Sequence, residues 1–481
     1  MIKSVEFENF RNVKGKYDFK NILNAVIGKN NSGKTNLLDG IKLAFSVISS
    51  DYYRINQSDF YNSDDSLIIK IIVELDVDSI PTLNYYIDEN NQKCGFIVNI
   101  RKTQSGRYIK EITLLNGSNV DYDILREDEN IPSIFSIPVS RIEEIYTNGL
   151  ITGISKFIDS EEKYKELKND SKEAINKVIK TKVDKFKDFC KKFNQNFEID
   201  LTEPKISDEK VYIVEEGQQE HNYKIGAGYK SIANIILNAL NEKYNIILID
   251  EIENHLHPSL IRTLIRELNS FSNIQIICTT HSAVVANELG VEEIIDINYK
   301  SICLDKKNME KLNTFMHAGR NELMFADNIV LVEGYTEEML FKYYLSSKNY
   351  NWNVINVAGI MFEPYIELAA FLHKKLIVVS DNDKALSKEL IPSSRFVNLE
   401  NLCKDKNFTL LEVNNTLESD LYDNNFLASY LDLLEEHEMH KNIYVAKANK
   451  KTMIAQQLIM DKVDLSDWHI IKDIENEFNN N

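Results

Sequence analysis

With 481 residues, 43% of them hydrophobic, the chain is long enough for two or three domains with real cores, which excludes an extensively disordered protein. Five scattered cysteines without a C-x-x-C pair exclude a zinc knuckle and a disulfide framework, and we expect a cytoplasmic protein without a membrane partner because we find neither a signal-peptide core nor an apolar run of bilayer length. The net charge of −18, with 15 basic against 26 acidic residues between Asn321 and Asn481, restricts any nucleic-acid contact to local basic patches and suits metal binding by acidic clusters.

The first predicted elements surround a phosphate-binding motif. Residues 22–27 form an apolar strand that runs into residues 28–35, which read G-x-x-x-x-G-K-[ST], and residues 35–45 follow with helical spacing. In such a loop, backbone amides converge on phosphate oxygens, Lys34 reaches the terminal phosphates, and Thr35 supplies a hydroxyl ligand to Mg²⁺. The predicted ATP-binding residues of this motif are Gly28, Asn30, Asn31, Ser32, Gly33, Lys34, Thr35 and Asn36.

A charged segment interrupts the nucleotide-binding part of the chain. From Ser155 to Gln195 the composition changes to Lys, Glu and Asp, and apolar residues recur between Ile175 and Phe193 at the spacing of an amphipathic helix. Lysines make its second half basic. We interpret this segment as a helical arm or dimerisation hairpin with a solvated face, and a DNA-contacting face is the alternative.

Acidic residues follow the next apolar strand. Residues 246–249 end in Asp250 and Glu251 and, after another apolar strand, His281 stands at a strand tip. We expect Asp250 to hold the Mg²⁺ shell through water and Glu251 to polarise the attacking water. A histidine in the position of His281 can sense the γ-phosphate of ATP.

This order of motifs resembles the ABC-type ATPases of the structural-maintenance (SMC) and RecF-like branch. Residues 7–11 resemble the opening strand of that branch, and residues 253–258 resemble its D-loop. The resemblance implies that Gln57 is the Q-loop glutamine. It also implies that Gly226 and Gly228 belong to a signature motif, whose usual serine and glutamine are missing, and that they offer backbone amides to a γ-phosphate across a dimer.

The last third of the chain alternates strands and helices, which predicts a parallel sheet. Glu333 follows one apolar strand, and Asp381 and Asp383 end another, so these carboxylates should meet at the carboxyl edge of the sheet. Hard oxygen ligands suit Mg²⁺ or Mn²⁺, and two such ions about 4 Å apart can cleave a phosphodiester. Further candidate metal ligands are Glu337, Glu418 and Asp420.

The spacing of these carboxylates resembles the Toprim domain of topoisomerases, primases and some nucleases. An ABC ATPase followed by Toprim is the layout of the OLD (overcoming lysogenization defect) nuclease family, which includes the nuclease subunit of the Gabija anti-phage system. The resemblance implies an ATP-regulated, metal-dependent endonuclease of double-stranded DNA that acts in anti-phage defence as a homodimer or higher oligomer, with a helicase as a candidate partner. It also implies a late catalytic lysine, for which Lys451 is favoured and Lys450 is the alternative.

The predicted fold class is α/β, with an ABC-type (SMC/RecF-like) ATPase domain formed by residues 1–150 and 205–314. Residues 151–204 form the helical dimerisation insertion, and residues 315–481 form the Toprim nuclease domain. Two other functions remain open. One is an SMC/RecF-like DNA repair ATPase whose Toprim domain binds DNA without cleaving it. The other is a topoisomerase- or primase-like enzyme, for which no nucleophilic tyrosine stands out.

Overall fold

The computed structural model describes most of the chain, and the described residues form two compact units, Met1–Ile302 and Cys303–Asn481. The described residues are 1–48, 53–76, 94–115, 117, 134–137, 184–186, 188–193, 197–200, 210–215, 218–220, 227–240, 245–298, 300–301, 306–315, 322–347, 352–359, 361–447 and 450–479.

The described part of the first unit contains three β-sheets and several α-helices. Its strands are β1 (Ile2–Phe10), β2 (Val13–Asp18), β3 (Leu23–Ile27), β4 (Ile69–Leu75), β5 (Cys94–Lys102), β6 (Tyr108–Leu114), β7 (Ile134–Ile137), β8 (Phe197–Asp200), β9 (Lys210–Glu215), β10 (Gln218–Glu220), β11 (Ile246–Ile249), β12 (Gln275–Thr279), β13 (Ile294–Asp296) and β14 (Lys300–Ser301). Its helices are α1 (Lys34–Phe45), α2 (Ala227–Ala239), α3 (Pro258–Asn269) and α4 (Ala283–Glu288).

Two of these sheets share one core. The antiparallel sheet has the order β2-β1-β4-β5-β6, and the second sheet has the order β14-β13-β3-β12-β11-β7, parallel except for β14. Buried residues of both sheets and of α1 form a single apolar cluster. Gly40 lets α1 approach the first sheet, because a methyl group there would overlap the rings of Phe7 and Phe10. The phosphate loop is therefore anchored by apolar packing on its helix side.

Only part of the predicted helical insertion lies among the described residues. Residues 184–186 and 188–193 are helical, and the ring of Phe189 stacks on Phe271 with 5.4 Å between centroids. Lys192 Nζ lies 2.6 Å from Glu267 Oε2 of α3. The predicted helical insertion is not helical at residues 197–200, which form the extended strand β8 and pair with β9. The remainder of the insertion lies outside the described residues, so its helices and its dimerisation role stay predictions.

The second unit is built on a parallel sheet, as the alternation of strands and helices predicts. Its sheet has the order β16-β15-β17-β18, and a separate hairpin joins β19 to β20. Its elements are α5 (Lys306–Phe315), β15 (Asn328–Val332), α6 (Tyr335–Ser347), β16 (Asn353–Asn356), α7 (Phe362–Phe371), β17 (Lys375–Asp381), α8 (Ser394–Asp405), β18 (Thr409–Val413), α9 (Leu417–Asp423), β19 (Leu434–Glu436), β20 (Tyr444–Ala446), α10 (Lys451–Met460) and α11 (His469–Asn479).

The C-terminal helices complete the core of the second unit. Trp468 is fully buried and its ring stacks on Phe341 of α6 at a centroid distance of 5.6 Å. At the other end, Lys311 of α5 lies 2.8 Å from Glu363 of α7, and the unit begins at Cys303 rather than at the predicted residue 315.

None of the described helices combines the length and the apolarity needed to cross a bilayer.

Candidate functional site

The phosphate loop lies between β3 and α1, where the motif places it. Gly28 and Gly33 have φ angles of 150° and 107°, which residues with side chains rarely adopt. A Cβ atom at Gly33 would also lie 2.7 Å from the side-chain oxygen of Asn12. The two glycines thus allow a tight backbone turn beneath a side chain that comes from another part of the sequence.

Thr35 faces the carboxylate that follows β11. Its Oγ1 lies 3.1 and 3.0 Å from the two carboxylate oxygens of Asp250. The hydroxyl of Thr279, at the end of β12, donates to the same carboxylate at 2.5 Å. The structure therefore brings together the motif threonine and the acidic strand end, two residues separated by more than two hundred positions.

Lys34 is buried within the loop. Its Nζ donates to the carbonyl oxygens of Gly28 at 2.9 Å and of Lys29 at 2.8 Å. Burial lowers the pKa of Lys34, and the nearby carboxylates of Glu251 and Asp250 act in the opposite direction. Because the ammonium group is partly desolvated, an anionic phosphate close to it would stabilise its charged form.

Glu251 and His281 follow two neighbouring strands. Strands β11 and β12 run parallel and side by side, so the residues after them lie at one edge of the sheet. Glu251 has a φ of 50°, and its backbone N–H donates to the hydroxyl of Thr279 at 2.8 Å. The backbone N–H of His281 donates to Glu253 at 2.6 Å. The sheet thus places the predicted hydrolytic residues beside Asp250.

Gln57 begins a short 3₁₀ turn, Gln57–Asp59, after α1. Its side-chain amide donates to the carbonyl of Ser63 at 2.9 Å. This contact lies within its own loop rather than with Thr35 or Asp250. The role of Gln57 as a Q-loop glutamine therefore stays a prediction.

Arg11 connects this turn with the phosphate-loop helix, and the sequence analysis missed it as a site residue. Its guanidinium donates to Asn36 at 2.6 Å, to Asp39 at 2.7 Å and to Asp59 at 2.9 Å. Asn36 in turn donates to Asn12 at 2.7 Å. Neither Arg11 nor Asn12 belongs to the loop motif, and only the fold brings the β1–β2 turn to it.

Of the two predicted signature glycines, Gly228 lies in the described chain and Gly226 lies outside it. Gly228 is the second residue of α2 and contacts the D-loop of its own chain closely. A Cβ atom at Gly228 would lie 2.6 Å from the carbonyl oxygen of His255, which itself has a φ of 62°. Glycine at this position therefore permits the contact between the signature helix and the D-loop, and its role toward ATP stays a prediction.

The residues of the first unit fit a nucleoside triphosphate with a divalent ion. The hydroxyl of Ser32 is buried within the loop and has no hydrogen-bond partner in the described protein. Asn30 and Asn31, which precede Ser32 in the loop, are exposed. An unpaired buried hydroxyl, a desolvated lysine and a threonine–aspartate pair match the oxygen-rich chemistry of a phosphate and its metal ion.

In the second unit, Glu333 and Asp383 are held by an arginine. Arg395, near the start of α8, donates to the two oxygens of Glu333 at 2.6 and 3.0 Å and to Asp383 at 3.2 Å. The hydrogen bonds with Glu333 raise the pKa of Arg395. Asp383 has a φ of 52° and also accepts a hydrogen bond from Ser393 at 3.3 Å. The sequence analysis missed Arg395, since no motif signals it.

Asp381, at the end of β17, belongs to a second group of charges around Lys451. Lys451 Nζ lies 3.8 Å from Glu337 and 3.7 Å from Glu418. Burial raises the pKa of Asp381 well above its usual value, although Lys451 opposes the change. Burial likewise raises the pKa of Glu337. The predicted catalytic lysine is therefore surrounded by carboxylates that are costly to leave charged.

Lys451 responds to the same carboxylates. Burial alone would lower its pKa, but the surrounding carboxylates, Glu418 foremost, together raise it. The amine consequently stays protonated near neutral pH. Lys450, the alternative, is the residue that precedes α10.

The donor set of this cluster fits a hard divalent ion. The Oε1 atom of Glu418 is buried without a hydrogen-bond partner in the described protein; its nearest cation is the Lys451 ammonium at 3.7 Å, and a divalent ion would satisfy it more fully. In the described part of the chain, however, no three histidine, cysteine or acidic side chains are grouped closely enough to hold an ion as they stand. The carboxylates instead contact Arg395 and Lys451.

Asp420 is directed away from this cluster. Its Oδ2 accepts hydrogen bonds from the indole N–H of Trp468 at 2.6 Å and from His469 at 2.8 Å. The structure therefore does not bring this predicted metal ligand to the others. Asp420 instead ties α9, which carries Glu418, to the start of α11.

Three segments of the chain match known protein families. Residues 1–123 match the family described as AAA ATPase domain, and residues 215–287 match an AAA domain family named for the AbiEii toxin of type IV toxin–antitoxin systems. Residues 324–383 match the family described as overcoming lysogenization defect protein-like, TOPRIM domain. ATPase and Toprim domains use nucleotide and divalent metal ions in general.

Curated relatives align over most of the chain. Endonuclease GajA of Bacillus cereus strain VD045 is 25% identical over 460 residues, which cover 82% of this chain and 77% of that protein. GajA of strain HuB5-5 is 26% identical, over 36% of this chain and only 33% of that protein. The Old nuclease of Escherichia phage P2 is 24% identical, over 75% of this chain and 72% of that protein.

The chain is homologous to the endonuclease GajA and to the Old nuclease. A solved SMC head bound to the C-winged helix domain of ScpA covers 60% of this chain and 92% of that chain, with 16% identity and a TM-score of 0.45. That score is too low to support an argument of its own. The ABC-type ATPase fold rests on the order of the strands and motifs and on the family matches, and the Toprim domain follows it in the chain.

Opposite effects on stability are expected for two aspartates of the second unit. Asp381→Asn should raise the unfolding temperature of the metal-free protein, because it removes a buried charge. Since the folded-state pKa of Asp381 lies above its unfolded value, protonation stabilises the fold at low pH, and this stabilisation is lost as the pH rises through the folded-state pKa. The gain from Asp381→Asn should therefore grow as the pH rises above about 4, the ordinary pKa of an aspartate.

Asp420→Asn is the matched comparison. It weakens the hydrogen bonds from buried Trp468 and from His469 and should lower the free energy of unfolding by about 1–3 kcal/mol. Both variants are measured by thermal unfolding in a chelator. A loss of stability in Asp381→Asn at every pH would contradict the assignment of a costly buried charge.

Proposed function

We propose that the protein is a nucleotide-regulated, divalent-metal-dependent endonuclease of double-stranded DNA that acts in defence against phage. The observation that carries the proposal is the group of carboxylates around Lys451 and Arg395 at the carboxyl ends of β15 and β17. The pKa of Lys451, which burial lowers, is raised by four carboxylates, those of Glu418, Glu337, Asp381 and Glu333. Such a concentration of acids is costly for the fold, and a phosphodiester-cleaving metal site is a reason to keep it.

The residues of this group have distinct proposed roles. Glu333, Asp381 and Asp383 would hold Mg²⁺ or Mn²⁺, together with Glu337 and Glu418. A bound divalent ion supplies an activated water and a positive charge near the leaving oxygen. Lys451, kept protonated by its neighbours, would meet the negative charge that develops on the phosphate.

The comparisons support the reaction class rather than its details. GajA is named an endonuclease and Old a nuclease, and both align over three quarters or more of this chain. The chain spans about a third of one GajA relative and about three quarters of the other two proteins. DNA as substrate, defence against phage and a helicase partner come from the resemblance to the OLD family and belong to the proposal.

Cleavage should depend on Asp383. Asp383→Ala removes a proposed metal ligand, so it should reduce metal-dependent cleavage of plasmid DNA at least about a hundredfold while ATP binding remains unchanged. The control is Asp405→Ala, since Asp405 is an exposed aspartate at the end of α8. Both are compared with wild type in Mg²⁺ and in Mn²⁺.

The same experiment separates the nuclease from its alternative. Full cleavage by Asp383→Ala would overturn the Toprim assignment. DNA binding without cleavage by the wild type, in both metals, would favour the SMC/RecF-like repair ATPase whose Toprim domain only binds DNA.

Nucleotide is proposed to act as a switch. Lys34, Thr35 and Asp250 lie in the first unit and the cleavage residues in the second, so ATP changes cleavage only by favouring one arrangement of the protein. In ABC-type ATPases the signature motif of one copy closes the phosphate loop of another, which supports a homodimer or higher oligomer. Gly226 and Gly228 without the usual serine and glutamine are consistent with slow turnover.

Lys34→Ala should therefore abolish the effect of ATP on cleavage while leaving metal-dependent cleavage intact. Glu251→Gln should bind ATP and hydrolyse it at least about tenfold more slowly, which holds the ATP-bound state. The measurement is cleavage rate against ATP concentration for wild type and both variants. A wild-type rate that is the same at every ATP concentration would show that the two sites are not coupled.

A further inference from the structure

Arg395 and Glu333 form a bidentate ion pair. The guanidinium presents two N–H groups to the two oxygens of one carboxylate, at 2.6 and 3.0 Å, which is the strong bidentate geometry. A further bond at 3.2 Å reaches Asp383. One cation therefore engages two of the three carboxylates that follow the strands of the sheet.

This contact competes with a divalent ion. A metal ion bound by Glu333 and Asp383 needs lone pairs of the same oxygens, and its charge would be repelled by a guanidinium at hydrogen-bond distance. The absence of a ready group of three acidic ligands among the described residues agrees with this competition. Lys451 interferes less, since its amine stays 3.7 Å or more from Glu418 and Glu337.

The loop formed by residues 384–392 precedes Arg395 and closes beside the site. The backbone N–H of Ser393 donates to the carbonyl of Asn382 at 3.0 Å and joins the two ends of the loop, and the carbonyl of Ser387 accepts a hydrogen bond from the ring of His440 at 2.9 Å. Arg395 itself lies on α8, which is anchored by buried Phe396. The Arg395 side chain is 29% exposed, so the guanidinium can leave the carboxylates by a change of rotamer while the helix stays in place.

We propose that Arg395 is a latch that occupies Glu333 and Asp383 and keeps divalent ions out of the Toprim cluster until its guanidinium turns away. The proposal rests on the proposed metal-dependent function and adds a control to that site. Metal loading then requires that Arg395 leave both carboxylates. Removal of its side chain should therefore strengthen metal binding rather than weaken it.

The test is Mn²⁺ binding to the nucleotide-free full-length chain, followed by electron paramagnetic resonance of the free ion. Arg395→Gln should bind Mn²⁺ at least about tenfold more tightly than wild type. Arg395→Lys keeps the positive charge but cannot form the bidentate contact with Glu333, so its gain in Mn²⁺ affinity should be smaller. Lys384→Gln is the matched control, because Lys384 is a nearby cation that follows Asp383 in the chain but pairs with Glu412 instead. Thermal unfolding verifies that each variant is folded.

Asp381→Asn identifies the site that is measured. If it weakens Mn²⁺ binding in wild type and cancels the gain in Arg395→Gln, the latch is supported. If it weakens binding in wild type but Arg395→Gln binds no more tightly than wild type or Lys384→Gln, the latch is wrong and the metal site stands. If Asp381→Asn leaves wild-type binding unchanged, the proposed metal site fails, and the latch fails with it.

Discussion

Mutual repulsion among carboxylates at one end of a parallel sheet is the constraint on which the second unit depends. Strand ends place acids together because parallel strands share a carboxyl edge. Burial makes each charge more costly, as the raised pKa of Asp381 indicates. The chain after β17 compensates for this: α8 supplies Arg395 and α10 supplies Lys451. The helices that complete the domain therefore also neutralise its site.

The first unit has the opposite electrostatic problem. There the buried ammonium group of Lys34 is held by carbonyl oxygens, and burial disfavours its charge. Such a site favours an anion, whereas the carboxylate cluster of the second unit favours a cation. A polyanionic DNA backbone would be repelled by that cluster in the absence of a cation. Metal loading and substrate binding are thus electrostatically linked in the proposed function, while nucleotide binding has its own, separate requirement.

The sequence predicted what depends on strand ends and local motifs, and it could not predict what depends on long-range side-chain geometry. The phosphate loop, the Thr35–Asp250 contact and the parallel sheet below Glu333 follow from motif and periodicity. Arg395 could not be found this way, because an arginine near a helix start carries no signal until the fold places it. Asp420 was predicted as a metal ligand, and the sequence could not show that Trp468 and His469 bind it instead.

Only Ser419 separates Asp420 from Glu418 in a short helix, and the sequence alone gives no reason to assign the two acids different roles. Glu418 reaches Lys451, while Asp420 accepts hydrogen bonds from Trp468 and His469. The orientation of the Asp420 side chain is decided by Trp468, whose ring is buried and whose indole N–H needs an acceptor. A residue near the C-terminus thus fixes which acid serves the site.

A switch needs an element with two states of similar energy and a ligand that prefers one of them. The bidentate contact between Arg395 and Glu333 has the character of one such state, because it is strong but its guanidinium is partly exposed. A metal ion and the guanidinium satisfy the same carboxylate oxygens, so each excludes the other. Whatever biases the position of the Arg395 side chain would then set the affinity for metal. Regulation of cleavage would need only a small change in that balance, since about 1.4 kcal/mol alters a binding constant tenfold.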